Sequence, residues 1–195
     1  MATTDLSFAG VDPGRTGGLA LISPGNVPKV WEMPKSEERG CDIMAVWDIL
    51  SQWPSPVVAA LEWNTSRPGE VPDFAFRFGL QTGQLHALLF AKGFQVKLLA
   101  PNKWKGRLGL PGKTDDPGSL QGAALWDRTY PPYKSLIRGP KGGIHDGPLD
   151  ALLIALYLRK EATSGVGWKG GKRPPKYRGI PREWLEAIET ESQLG

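Results

Sequence analysis

The chain has 195 residues, enough for one well-cored domain and short for two. An apolar fraction of 40% excludes wholesale disorder, and a net charge of +4 leans towards a polyanionic partner. A single cysteine, Cys41, excludes an internal disulfide, and the longest apolar run, Ala151 to Leu158, falls far below the roughly 20 residues of a membrane span, so the sequence reads as a soluble protein of a reducing cytoplasm.

Ser7 to Ile22 consists of two apolar runs around Asp12-Pro-Gly and predicts a β-hairpin with a carboxylate at the end of its first strand. Asp-Pro-Gly is also an ordinary turn former, so the acid gains meaning only if others converge on it. Gly14, Gly17 and Gly18 read as backbone that a substrate can approach closely. Val27 to Met33 adds a third strand and completes a meander. Ile43, Val46, Trp47 and Leu50 recur at helical spacing until Pro54 and Pro56 stop the helix.

Pro56 to Glu62 is continuously apolar and ends in an acid, the pattern of a central strand buried on both faces. A helix from Asp73 to Lys92 follows, with Gly79 and Gly83 as small packing positions, and then a fifth strand from Phe94 to Ala100. Pro101 to Gly106 predicts a short helix opened by proline, and Ser119 to Thr129 a modest one. Tyr130 to Gly143 reads as a Pro-rich basic connection before the clearest helix of the chain, Pro148 to Arg159. From Ser164 the chain turns glycine-rich, basic and aromatic, which reads as a tail after a domain of residues 1–163, with a short helix from Pro181 to Ser192.

The order predicts an α/β fold: a five-stranded mixed sheet, a three-stranded antiparallel meander plus two parallel strands, with helices on both faces. Right-handed crossovers set the fourth strand beside the first and the fifth outside it, so Asp12 and Glu62 end adjacent parallel strands. His145-Asp-Gly-Pro-Leu-Asp150 puts Asp146 just before the last helix and Asp150 inside its first turn. Helix-dipole capping accounts for Asp146 alone. It accounts less well for Asp150, because a carboxylate at the mouth of an apolar helix needs a partner. Converging carboxylates without a Cys/His cluster suit Mg²⁺ or Mn²⁺ rather than Zn²⁺, and two such ions about 3.5–4 Å apart suit in-line displacement at a phosphodiester. His145 is a further possible ligand, or a residue of a surface loop.

Gly10-Val-Asp-Pro-Gly-Arg-Thr-Gly-Gly-Leu-Ala20, the strand ending at Glu62, Phe76-Arg-Phe-Gly79 with Gly83, Pro101-Asn-Lys-Trp-Lys105, Leu108-Gly-Leu-Pro-Gly-Lys113 and His145 to Leu156 together resemble RuvC-type Holliday junction resolvases, closest to the compact bacteriophage type. The resemblance runs over about residues 6 to 160; each piece is weak alone and the ordered set is strong. It implies an RNase H-like fold, a homodimer, and Mg²⁺-dependent paired nicking of branched DNA that leaves 5′-phosphate and 3′-hydroxyl ends, in a bacterial or phage-infected cell. It also implies that Asp12, Glu62 and Asp150 are metal ligands, with Asp12 bridging both ions. The family's fourth ligand stands three residues before the last aspartate, where this chain has Gly147; Asp146 is the natural substitute and His145 the fallback. The family often carries a lysine where this chain has Asp115-Asp-Pro117, which leaves Lys113 or Lys105 to supply that charge.

Arg15, Lys103, Lys105, Arg107 and Lys113 are candidate phosphate contacts, with a solvated basic loop as the competing reading. Arg67, Phe74 and Phe76 follow Glu62, where the resemblance places side chains at the junction centre. Trp104 reads as a core anchor rather than a base stacker. Lys169, Lys172, Arg173, Lys176 and Arg178, with Trp168 and Tyr177, form a candidate DNA arm or a simple solubilising tail. Three other readings compete. An actin-like ATPase needs a duplicated fold and a longer chain. A nuclease for RNA or other DNA structures shares the fold, and a non-catalytic DNA-binding module would use the acids only as caps and turns.

Overall fold

A computed structural model describes residues 6–25, 27–37, 40–54, 56–64, 69, 71–110 and 118–163. The expected tail, together with Arg67 and Lys113, lies outside them. The elements run β1 (Ser7–Asp12), β2 (Gly18–Ser23), β3 (Val27–Glu32), α1 (Ile43–Ser51), β4 (Val57–Glu62), α2 (Pro72–Ala91), β5 (Gln95–Leu99), α3 (Pro101–Arg107), α4 (Gly118–Thr129) and α5 (Asp146–Thr163). Among the described residues no helix is long and apolar enough to cross a membrane.

The sheet order is β3-β2-β1-β4-β5, as the sequence predicts. β1 pairs antiparallel with β2 and parallel with β4, and β4 pairs parallel with β5. The register sets Val11 beside Leu61 and Glu62 beside Leu99, so the carboxyl ends of β1 and β4 finish together.

Strand parity divides the core into two layers. Ala9 and Val11 of β1, with Ala59 and Leu61 of β4, face Val46 and Leu50 of α1 and Leu85 and Leu89 of α2. Phe8, Val58 and Ala60 face the other way, into a cluster with Trp104, Trp126 and the whole apolar length of α5. The same parity, four residues on from Phe8 and two on from Ala60, places Asp12 and Glu62 on the α5 face.

Four details differ from the sequence reading. α5 starts at Asp146, so Asp146 lies in its first turn and Asp150 one turn further on. Pro148 is accommodated because early helical positions need no intrahelical N–H bond. Residues 131–137 form a 3₁₀ segment, Pro131–Ile137, whose Tyr133 carbonyl accepts from the Trp126 indole at 3.1 Å. Gly79 and Gly83 are not close-packing positions among the described residues, where a Cβ at either would meet no atom within 4 Å. Gly17 and Gly18 are filled rather than open. A Cβ on Gly17 would lie 2.1 Å from the Asp12 carbonyl oxygen, and one on Gly18 would lie 2.8 Å from Pro148. Of the three, Gly14 alone has ordinary clearance, 3.4 Å to its nearest atom.

Candidate active site

Glycines at the contact between α5 and the first hairpin bring the acids together. A Cβ on Gly10 would sit 2.0 Å from the Ala151 carbonyl oxygen, and one on Gly147 would sit 1.9 Å from that of Thr16. Backbone therefore meets backbone, and α5 lies close enough to the end of β1 for Asp150 and Asp12 to share one field. The same contact explains why position 147 carries no ligand: no side chain fits there.

Glu62 is buried and held at both oxygens. The Trp104 indole N–H donates to Oε2 at 2.8 Å, and the Asn64 amide donates to Oε1 at 3.0 Å. One residue on, Lys105 places Nζ 3.5 Å from Asp150 Oδ2 and 4.9 Å from the centre of the Trp104 ring. α3 thus addresses two of the acids from consecutive positions. Trp104 is the core anchor expected, and its role as donor to Glu62 is additional. The pattern that signals it is an indole one residue before a lysine on a short helix leaving the strand next to Glu62.

The electrostatics are those of crowded carboxylates. Burial, followed by the charges of Glu62 and Asp150, pushes the Asp12 carboxyl up to about 7, against the opposing pull of Lys105 and a hydrogen bond from the Gly14 backbone. Asp150 is pushed up to about 6, mainly by burial, with Lys105 opposing and Glu62 adding to the rise. Among the described residues no three acids or histidines close into a ready coordination shell. Repulsion between like charges resists closure, a balance that a divalent cation would reverse. The donor set is hard oxygen throughout and in excess over its one lysine, which fits Mg²⁺ or Mn²⁺.

The remaining candidates divide. Asp146 is exposed, one helical turn from Asp150, and adds to its field. His145 is directed elsewhere: its Nδ1 lies 2.8 Å from Glu32 Oε1 at the end of β3. A cleft of about 330 Å³ opens there, lined in part by Arg15, Thr16, Glu32, Lys35, His145 and Asp146. Glu32 and Lys35 escaped the sequence reading because nothing local links β3 to the start of α5. Arg107 pairs with Glu161 at 2.9 Å, while Arg15 and Lys103 are exposed and form no ion pair among the described residues. Phe74 stacks on Phe78 along α2, and both Phe74 and Phe76 are exposed.

No protein-family model matches the sequence, and no curated protein does. Among solved structures, the chain is similar to Thermus thermophilus RuvC in complex with a Holliday junction substrate, with a TM-score of 0.54 at 18% identity over 82% of this chain and 96% of that one. A second structure of Thermus thermophilus RuvC gives a TM-score of 0.54 at 20% identity over the same shares. Ydc2, the yeast mitochondrial Holliday junction resolvase, gives 0.51 at 16% identity over 82% of this chain and 80% of that one. Likenesses at this level of identity speak for architecture, and with the sheet order and the helix laid across its meander they establish that the chain has the RNase H-like fold in the form that RuvC and Ydc2 share.

Proposed function

We propose that this chain is a metal-dependent endonuclease that resolves four-way or related branched DNA by paired phosphodiester hydrolysis. The observation that carries the reading is the convergence of Asp12, Glu62 and Asp150 around one lysine, with two carboxyls pushed up to about 7 and about 6. Such a site holds more negative charge than it neutralises and sits on a fold whose solved examples include a RuvC bound to a Holliday junction. Asp12, Glu62 and Asp150 would hold two Mg²⁺ ions, with Mn²⁺ as a substitute. Asp146 is favoured over His145 as the fourth ligand, because Glu32 engages the imidazole. When bound, the ions supply an activated water and neutralise charge building on the phosphate.

The chain's own groups do the rest. Glu62 is orientated by two donors before any substrate arrives. Lys105, 3.5 Å from Asp150 Oδ2, would exchange that carboxylate for a DNA phosphate once the acids hold a cation. Arg15 and Lys103 serve as phosphate contacts that orient the strand. Water oxygen bonds to phosphorus, the bond from phosphorus to the 3′ oxygen breaks, and that oxygen takes a proton, leaving 5′-phosphate and 3′-hydroxyl ends.

Paired cutting calls for two sites, and α2 offers a surface for a homodimer. Phe76, Leu80 and Phe90 are 69%, 53% and 57% exposed, and Gly79, Gly83 and Ala87 lie between them on the same stripe. A two-fold pairing of this stripe is self-complementary.

The test incubates the protein with Mg²⁺ and labelled four-way junctions, flaps, duplexes and RNA–DNA hybrids. Paired nicks near the junction centre are expected, abolished by Asp12→Asn or Asp150→Asn in chains that still fold. Equal cutting of every DNA would replace the resolvase with a general nuclease, and preference for hybrids would make RNA the substrate. Junction binding without cutting would leave a DNA-binding module.

A further inference from the structure

We infer that Trp104 is a positioning residue that makes Glu62 a one-oxygen ligand and so sets which divalent cation the site prefers. The inference rests on the metal centre proposed above. Trp104 is fully buried, and its indole N–H donates to Glu62 Oε2 at 2.8 Å. A buried indole donor cannot turn to water for compensation, so leaving Oε2 would cost both groups a partner. Glu62 Oε1 is bonded instead by the half-exposed Asn64 amide, which an arriving cation can displace. The two oxygens are therefore unequal, one locked inward and one exchangeable.

That inequality has a consequence for cation choice. Mg²⁺ requires near-octahedral geometry and takes carboxylates through single oxygens, whereas Ca²⁺ takes six to eight ligands and readily uses both oxygens of one carboxylate. With one lone pair of Oε2 committed to Trp104 and that oxygen held towards the core, the two-oxygen mode is disfavoured and Ca²⁺ loses part of the ligation it would gain. Removing the donor should weaken Mg²⁺ binding through lost orientation while opening the mode that Ca²⁺ favours.

The experiment measures Mg²⁺ and Ca²⁺ affinities of the full chain by titration calorimetry, for the unaltered protein, Trp104→Phe and Asn64→Ala. Trp104→Phe should bind Mg²⁺ about tenfold to a hundredfold more weakly. Its Ca²⁺ affinity should hold or rise, so that the ratio of the two shifts towards Ca²⁺; Asn64→Ala should leave the ratio unchanged. A purely structural role for Trp104 would weaken both cations alike, and that result would overturn the inference. Should Trp104→Phe fail to fold, the indole N–H resonance decides in the unaltered protein. It should stay protected from hydrogen exchange with Mg²⁺ bound, and its loss on Mg²⁺ addition would overturn the inference. If the unaltered protein binds neither cation, the metal centre itself is wrong and the inference falls with it, whereas Mg²⁺ binding with an unmoved ratio defeats the role of Trp104 alone.

Discussion

Asp12 keeps its proton to about pH 7 in the folded chain, against an ordinary carboxyl value of 3.8, mainly because burial and then Glu62 disfavour its charge. The sign of the consequence follows from proton counting. Between roughly pH 4 and 7 the unfolded state has released a proton that the folded state still holds, so stability falls as pH rises across this window and the full cost is present above it. Asp150, raised to about 6, adds to the same slope. Asp12→Asn should therefore stabilise the metal-free protein by on the order of 1–3 kcal/mol at pH 8 and by almost nothing at pH 4. Thermal melts at the two pH values in chelator read this directly. Mg²⁺ should then raise the melting temperature of the unaltered protein more than that of the variant, because ligand binding to the folded state alone stabilises by mass action. A variant that melts lower at pH 8 in chelator would show that Asp12 stabilises the fold rather than straining it.

α5 and the first hairpin meet through glycine, and that contact determines where the acids lie. A methyl group on Gly147 would come within 1.9 Å of the Thr16 carbonyl oxygen, and both sides of the contact are main chain, so no rotamer change relieves it. Gly147→Ala should cost roughly 1–3 kcal/mol or more in urea unfolding. It should also move α5 away from β1 and reduce activity beyond what the lost stability explains. The element scale is also where the sequence was most and least readable. The strand order follows from apolar runs and handed crossovers, which are local or generic signals, and these alone set Asp12 beside Glu62. Gly17 and Gly18 are ambiguous in sequence because a glycine that frees a turn and one that admits a close backbone neighbour are the same letter. The engagement of His145 by Glu32 was hidden for a different reason: it joins residues more than a hundred positions apart, with no periodic pattern to announce it. Starting α5 at Pro148 rather than Asp146 had a small local cause, since Asp-Gly-Pro reads as a turn until the hairpin it packs on is present.

α2 links the site to the outer surface of the molecule. Its inner side reaches the turn after Asp12, where Gln81 Nε2 lies 3.5 Å from the Gly14 carbonyl oxygen, and its outer stripe carries Phe76, Leu80 and Phe90. An α-helix with its side chains is only about 10–12 Å across, so a partner seated on that stripe would stand one helix away from the turn that presents Asp12. Two-fold pairing there would set two sites at a fixed separation, the geometry needed to cut two strands of one branched substrate in a single encounter. Phe76→Glu with Leu80→Glu tests the arrangement cleanly, because both side chains are exposed and their loss should change the stability of the monomer by only about 0.5 kcal/mol each. Sedimentation velocity should find the unaltered chain as a dimer and the double variant as a monomer. On labelled four-way junctions the variant should accumulate single nicks in place of paired cuts. A chain that sediments as a monomer at assay concentration and still cuts both strands together would remove α2 from the mechanism. If the double variant stays dimeric, the interface lies on another face.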